Sequence, residues 1–280
     1  MIFIFTTLGL SCSYSAPLSV SGNYIVDLCV FQNCHNPGSG GSIAGMCSRL
    51  EMKRSTFTDS TSGAHGAVLF LNSGSSVLYI YCCCISRYDN SHGHGGKCSL
   101  AYPGTSFTFD LSTVHSSLTD GGYEIFNTAS ADQQYSSLNM SKNNDGSRAG
   151  TISTAHQTYL RCQYCTFVSN TVPHILHDYN YKASTFTISH LNIVQNAVAQ
   201  LFAQPQNPQI SFSVIHSNTG SLGLSESFFV SCLFSPLDPT LKLTFLKTAS
   251  CFGIDIISEP SKTNRFSLDI FKVLLMFTLM

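Results

Sequence analysis

Charged residues are scarce in this 280-residue chain, and their scarcity excludes several classes of protein. Lysine and arginine together number 14, and charged residues make up 10% of the sequence, against about 25% in typical soluble chains. The net charge is −1 and no cluster of basic residues occurs, so the electrostatic footprint of a nucleic-acid-binding protein is missing. No Gly-Lys-Ser/Thr triplet is present either, which excludes a phosphate-binding P-loop.

Long apolar segments are also missing. The apolar runs are short, rich in β-branched and aromatic residues, and broken by Ser, Gly and Asn, whereas helical repeats need apolar residues at 3.6 spacing over longer runs. The C-terminal run 271–280 has ten residues, and spanning a bilayer takes about 20. We interpret residues 236–280 as a C-terminal cap or as the start of a truncated membrane anchor.

The N-terminal residues 1–20 also have two interpretations. Their first ten residues resemble the apolar core of a signal peptide, with Ala16 near a cleavage point. No basic residue precedes this core, and Pro17 is an unfavourable neighbour for cleavage. The segment is therefore either a signal peptide or an N-terminal capping strand.

What the sequence does contain is a pattern that returns about every 26 residues. A large apolar residue marks each repeat, and we take it as position zero. Position −5 is apolar or aromatic in every repeat, and position −7 is apolar in six of the eight. Such a period indicates a short structural unit stacked on copies of itself. The anchors of coils one to eight are Phe31, Phe57, Ile85, Val114, Met140, Phe167, Ile193 and Ile215.

The spacing within each repeat predicts three short strands. Positions −7 and −5 alternate as in a strand with one buried face, and positions −2 and zero alternate in the opposite phase. This one-residue slip predicts a bend between two strands. A small or polar residue at position +3 suits a turn, and a glycine-rich stretch precedes the third strand. The fold class predicted is all-β, a right-handed parallel β-helix of about eight coils over residues 21–235.

The register near residues 205–235 is left open by the sequence. A ninth anchor is placed at Phe229, with Leu222, Leu224 and Cys232 in matching positions. Phe229 lies only 14 residues after Ile215, which is too short for a full coil.

Twelve cysteines raise the question of disulfides. Cys29, Cys83 and Cys165 occupy the same repeat position but lie two or three coils apart. Two coils correspond to ~9.6 Å, beyond the distance of about 7 Å that a disulfide tolerates between Cα atoms. We expect buried thiols that act as small apolar side chains. Local pairs, Cys29 with Cys34 or Cys162 with Cys165, are the alternative, and no zinc site is expected.

Catalytic residues are not apparent in the sequence. His92 and His94 stand in a Gly-His-Gly stretch of the kind found in pectin-hydrolysing β-helix enzymes, but the aspartate and Arg-x-Lys motifs that accompany it there are absent. Acidic residues are scattered singly, and Asp59 and Asp110 fall at different repeat positions. We interpret His92 and His94 as weak surface candidates on a glycine turn, and we expect no catalytic, cofactor-binding or metal-binding residue.

The repeat resembles a known family. Phe31-Gln-Asn-Cys34 followed by Gly40-Gly41-Ser42-Ile43 is similar to the polymorphic outer-membrane-protein repeat, which is also found in cysteine-containing β-helix surface proteins of parasitic protists. The segments 167–170, 193–196 and 229–232 match its first half only. Members of this family are surface or adhesive proteins, and the resemblance carries over no catalytic residue.

These features predict a non-enzymatic β-helix protein, extracellular or at the cell surface, with an adhesive, binding or scaffolding role. Its expected partner is a glycan or a host or cell-surface protein. It is expected to need no cofactor and to bind no nucleic acid, and to associate with a membrane only through a terminal anchor. A carbohydrate-active enzyme (a polysaccharide lyase or glycoside hydrolase), or a degenerate relative of one, is the alternative. A piece of a longer protein is a third interpretation.

Overall fold

The chain folds as the parallel β-helix that its repeat predicts. The computed structural model describes residues 6–8, 12–72, 77–86, 100–102, 105–115, 118–119, 126–128, 132–145, 150–154, 159–178, 185–203 and 208–243. Within these residues the strands form three parallel ladders, and the one short helix is a 3-10 turn over Glu226–Phe228. Each coil contributes one strand to each ladder, so the predicted unit of three strands is confirmed.

Ladder 1 contains positions −8 to −4 of each repeat. Tyr24, Leu50, Leu78 and Phe107 pair in register through successive coils. Its strands are Thr6–Leu8, Leu18–Asp27, Ile43–Lys53, Val77–Tyr81, Ser106–Asp110, Asp132–Ser136, Tyr159–Gln163, Thr185–Ser189, Gln209–Ser211 and Phe229–Val230.

Ladder 2 contains the anchors. Its nine described strands are Cys12–Tyr14, Cys29–Gln32, Thr56–Thr58, Cys84–Ser86, Thr113–His115, Asn139–Ser141, Thr166–Val168, Asn192–Val194 and Val214–His216. All eight predicted anchors pair in one column. Tyr14 adds a ninth member at the N-terminal end, where its ring stacks on Phe31 at 4.8 Å between centroids.

Ladder 3 follows the glycine-rich stretch. It begins with the first halves of Leu18–Asp27 and Ile43–Lys53, two long strands that also belong to ladder 1. The remaining strands are Leu69–Leu71, Leu100–Tyr102, Phe126–Thr128, Gly150–Thr154, His174–Asp178, Ala197–Ala203 and Thr219–Ser221. Two short pairs, His35–Asn36 with Thr61–Ser62 and Leu118–Thr119 with Asn144–Asp145, lie between ladders 2 and 3.

The core runs along the axis of the coil, between the three ladders. Phe31 and Phe57 are fully buried and stack at 4.8 Å between ring centroids, which is the spacing of paired strands. Gln133, one of the two exceptions at position −7, is also fully buried, and it accepts a hydrogen bond of 3.2 Å from the hydroxyl of Tyr135. The polar exception is thus satisfied inside the core, as a buried polar group requires.

The predicted bend between ladders 1 and 2 is a left-handed corner at position −3. The φ angle there is positive in nine successive coils although no residue is glycine, and the values run from 44° at Arg54 to 56° at Tyr164. The amide of Leu28 donates to the carbonyl of Lys53 in the next coil, and later corners repeat this bond. A single left-handed residue reverses the side-chain alternation, which explains the one-residue slip. A second left-handed corner at position +2 includes Ser169 and Gln195.

The corner conformation predicts how stability responds to substitution at Ser169. This residue is exposed, with φ of 54°. Ser169→Gly should keep the free energy of unfolding or raise it slightly, because glycine tolerates positive φ. Ser169→Val should lower it by about 1–2 kcal/mol, since a β-branched residue is disfavoured there. Urea unfolding of both variants checks this. An equal response to glycine and valine would contradict the corner assignment.

Inside the turn after ladder 2, four asparagines at position +3 form a row, of which the first three are buried and the last is partly buried. Asn143, Asn170, Asn196 and Asn218 occupy successive coils. Each side-chain amide donates to the carbonyl of an anchor-column residue in the preceding coil, such as Met140 for Asn170 at 3.0 Å. Each side-chain oxygen from Asn170 onwards accepts from the backbone and side-chain amides of the asparagine one coil earlier. We call these residues the asparagine row.

Six of the eight free cysteines in the described part of the chain are buried thiols, as expected. Cys29, Cys34, Cys162 and Cys165 are all free and buried, so the local pairs considered as the alternative do not form. Burial raises the pKa of Cys83 to about 12, and its thiol bonds the carbonyl of Tyr81. The expectation that the cysteines act as small apolar side chains is wrong for Cys84. Its side chain points away from the core column, and it is disulfide-bonded.

The structure corrects the proposed ninth anchor. Phe229 pairs with Ile210, so it occupies position −5 and not position zero. Cys232 then takes position −2, and Phe234 takes position zero. The sequence erred because the coil between Ile215 and Phe234 is short, so that an apolar residue at −5 resembled an anchor. Beyond it the chain turns back along ladder 2, where the backbone of Leu241 forms two hydrogen bonds with the side chain of Asn192.

Candidate functional site

The outer face of ladder 1, together with the corner at position −3, carries the three ion pairs found among the described residues and a stack of exposed rings. Side chains at positions −8, −6 and −4 alternate with the core residues and therefore point outward. In coil two these positions are Arg49, Glu51 and Lys53 on one strand. Their regular alternation on the strand Ile43–Lys53 is what places three charges side by side.

These charges are paired with each other. Glu51 accepts from Arg49 at 2.7 Å and from Lys53 at 2.5 Å through its two oxygens. One coil earlier, Asp27 forms a bidentate pair with Arg54, the corner residue of coil two. We call these five residues the ion-pair cluster.

Two tyrosines extend the cluster into coil three. Tyr79 and Tyr81 lie on the outer face with ring centroids 6.0 Å apart, and the ammonium group of Lys53 stands 5.9 Å from the Tyr79 centroid. Burial, followed by the neighbouring Cys82, raises the pKa of Tyr81 to about 12. Both phenols therefore stay neutral at physiological pH and act as hydrogen-bonding aromatic surfaces.

The charged neighbours also set the protonation of Glu51. Burial alone would raise its pKa, but hydrogen bonds from Lys53 and Arg49 and their charges outweigh burial and lower the pKa below the usual value of a glutamate. A carboxylate held ionised in this way cannot serve as a general acid near neutral pH. It is suited to holding its basic neighbours in place.

The lowered pKa of Glu51 predicts a dependence of stability on pH. A carboxylate whose folded pKa lies below its unfolded value stabilises the fold fully above the unfolded pKa of about 4.3, and this contribution is lost as the pH falls through the folded pKa. Because Arg49 is 46% exposed, we expect only about 1 kcal/mol. Glu51→Gln should therefore lower the free energy of unfolding at pH 7, and below about pH 4.3 this free energy should fall less steeply with decreasing pH than in the unaltered chain. Chemical unfolding at several pH values measures both effects. If the free energy of unfolding decreased at acidic pH equally in Glu51→Gln and in the unaltered chain, this role of Glu51 would be contradicted.

A second feature of the same face lies on coils six to eight. The corner residues Tyr164, His190 and Phe212 stack through successive coils, with ring centroids 4.8 Å and 5.3 Å apart. Tyr164 is 44% exposed and Phe212 is 53% exposed, so the stack is a ridge on the surface. We call these three residues the aromatic row.

Uncharged polar groups border the aromatic row. Gln163 and Ser189, at position −4 of coils six and seven, are bonded side chain to side chain at 3.0 Å. Ser136 lies at the same position in coil five, with its hydroxyl 3.3 Å from that of Ser137. Arg161 is the one arginine, and no lysine occurs, on the described ladder 1 strands of coils six to eight. Its guanidinium bonds the Tyr159 hydroxyl at 2.7 Å and lies over the Tyr159 ring.

The residues singled out from the sequence do not form a site in the described part of the chain. His92 and His94 lie outside the described residues. Asp59 occupies the second corner of coil two and Asp110 the outer face of ladder 1 in coil four, so they do not converge. Among the described residues no three histidine, cysteine or acidic side chains gather where they could hold a metal ion.

Neither the ion-pair cluster nor the aromatic row was predicted from the sequence, and the reason is the same for both. Only the inward columns were compared from repeat to repeat. The signals were nevertheless present: an Arg-x-Glu-x-Lys alternation at 49–53, and aromatic rings at position −3 of coils six to eight.

Comparisons with known proteins identify no relative. The chain matches no protein-family model, no curated protein and no solved structure. Among the residues that the structure describes, no helix is long and apolar enough to span a bilayer, and the apolar run 271–280 lies outside them.

Proposed function

We propose that this chain is a non-enzymatic β-helix protein, exported or held at the cell surface, that binds a glycan or a host or cell-surface protein along the outer face of ladder 1. We further propose that its repeat is related to the polymorphic outer-membrane-protein repeat and to the repeats of protist surface proteins. This relation supports an adhesive or scaffolding role.

The observation that carries the proposal is the continuity of this face. Ten strands in register give a surface roughly 40 Å long at the usual strand spacing. It bears ion pairs and tyrosines at one end, hydroxyl and amide groups in the middle, and exposed rings at the other. A rigid, extended surface of mixed aromatic and polar character suits a long ligand, because aromatic side chains combine apolar area with polar contacts.

The arrangement of acids supports binding over catalysis. Glycoside hydrolysis commonly needs two carboxylates between about 5 and 9.5 Å apart. Glu51 and Asp27 are held in ion pairs. Asp110 and Asp132, at positions −4 and −8 of neighbouring coils, are separated by about 13 Å along the strand direction alone.

The test uses the labelled full-length chain in two assays. In the first it is applied to a glycan array and to cultured animal cells, and saturable retention is expected on at least one of these surfaces. In the second it is incubated with pectin and with homogalacturonan, and no new reducing ends or unsaturated products are expected. Cleavage by the unaltered chain, or the lack of retention on every surface, would overturn the proposal.

A further inference from the structure

The aromatic row ends next to a corner residue that carries no ring. One face of Tyr164 is covered by His190, and the other is turned towards coil five. The corner residue of coil five is Ser137, which carries no ring, and the corner residue of coil four is Leu111. Between Leu111 and Tyr164 the corner column therefore carries a small side chain, that of Ser137, and we call this step in the column the slot.

The width of the slot follows from the coil spacing. Leu111 and Tyr164 occupy the same corner two coils apart, which corresponds to about 9.6 Å. A ring placed at the level of Ser137 would lie about 4.8 Å from Tyr164. This equals the observed distance between the Tyr164 and His190 centroids, so a ring at that level would continue the stack.

The rim of the slot indicates what kind of ring fits. On the ladder 1 side stand Asp110, Ser136 and Gln163, at position −4 of coils four to six. On the ladder 2 side stands Asn139, which points outward at position −1 of coil five. Amide, hydroxyl and carboxylate groups around the slot fit a ring with apolar faces and a hydroxylated edge.

We infer that the slot between Leu111 and Tyr164 binds one pyranose ring of a neutral glycan. The inference rests on the proposed function and names its ligand class and its site. Tyr164 covers one face of the sugar and Leu111 approaches the other, while the rim residues bond its hydroxyl groups. Asp110 disfavours an acidic sugar by charge repulsion, and the guanidinium of Arg161, on the same strand as Gln163, is held against Tyr159.

A phenylalanine at position 137 tests the site directly. Phenylalanine already occupies the same corner at Phe212, so Ser137→Phe should fold, fill the slot and exclude the ligand. Ser231 follows Phe212 at the other end of the corner column and has the same corner conformation, and among the described residues no further corner residue follows it. Ser231→Phe is therefore the matched control. Because the chain contains no tryptophan, Tyr164→Trp supplies a single indole whose emission reports an occupied slot.

The probes are cellohexaose, xylohexaose and mannohexaose, with hexagalacturonate as the acidic comparator. We expect at least one neutral hexasaccharide to bind the full chain and to change the emission of the Tyr164→Trp variant. Ser137→Phe should weaken this binding at least tenfold, Tyr164→Ala roughly tenfold, and Ser231→Phe less than twofold. Melting temperatures of all variants confirm that they are folded.

Three results would overturn the inference: no neutral hexasaccharide binds, Ser137→Phe binds as the unaltered chain does, or hexagalacturonate binds as tightly as the best neutral probe. None of these removes the proposed function by itself. A chain that adheres to cells while binding no hexasaccharide retains an adhesive role without this sugar site. A chain that adheres to nothing loses both.

Discussion

Replacing Asn170 by alanine is expected to lower the free energy of unfolding by about 3 kcal/mol or more. Its side chain donates to Met140 and Asn196, and its oxygen accepts from the backbone and side-chain amides of Asn143. All these groups are buried. Alanine leaves a backbone amide and a carbonyl without these bonds, and each unsatisfied buried group costs about 1–3 kcal/mol.

The end of the asparagine row provides the graded control. Asn218 makes the same kinds of contact but is only partly buried and donates to no later asparagine among the described residues. Asn218→Ala should therefore cost about half as much as Asn170→Ala, since water can reach the groups left behind. Denaturant unfolding followed by circular dichroism measures both values. Equal losses at the two sites would show that burial does not set the strength of the row.

Gly41→Ala is expected to lower the free energy of unfolding by about 3 kcal/mol. A methyl group at this position would lie 2.0 Å from the carbonyl oxygen of Ala67 and 2.5 Å from that of Thr61. Both are backbone atoms of the next coil, so they cannot rotate away as a flexible side chain can. Relief requires the coils to separate locally, which also weakens the packing of Ile43.

The neighbouring glycine Gly38 is the matched control. A methyl group there would meet only the side-chain oxygen of Asn36, at 3.4 Å, so Gly38→Ala should change the free energy of unfolding by less than about 0.5 kcal/mol. Thermal melts of the two variants compare them directly. Equal stability of Gly41→Ala and Gly38→Ala would contradict the close approach of coils one and two at Gly41.

The sequence could predict the inward-facing residues because two periodic patterns constrain their positions together. The alternation of side chains in a strand and the return of the pattern about every 26 residues placed Phe31 next to Phe57 and Phe167 next to Ile193 in the anchor column, and both pairings are observed. The glycine pair at 40–41 was predicted as a turn. The structure adds that Gly40 needs its positive φ of 79° and that Gly41 needs its missing side chain.

The outward side was less predictable because contacts there join residues from different coils through chemistry that the repeat does not constrain. The pairing of Asp27 with Arg54 and the contact of Lys53 with Tyr79 depend on which residues happen to occupy neighbouring coils. The slot at Ser137 is visible only when position −3 is read across coils. The disulfide state of Cys84 also could not be read from spacing.

The amino-acid sequence by itself determined that the chain winds into stacked coils and which side chains fill the interior, because burying a periodic apolar pattern leaves one arrangement that satisfies every repeat. Only the tertiary structure decided the left-handed corners, the asparagine row and the character of the surface. Residues as different as Leu28 and Phe212 adopt the same corner conformation because hydrogen bonds to the next coil hold them there, and a bond between coils exists only once the coils are stacked.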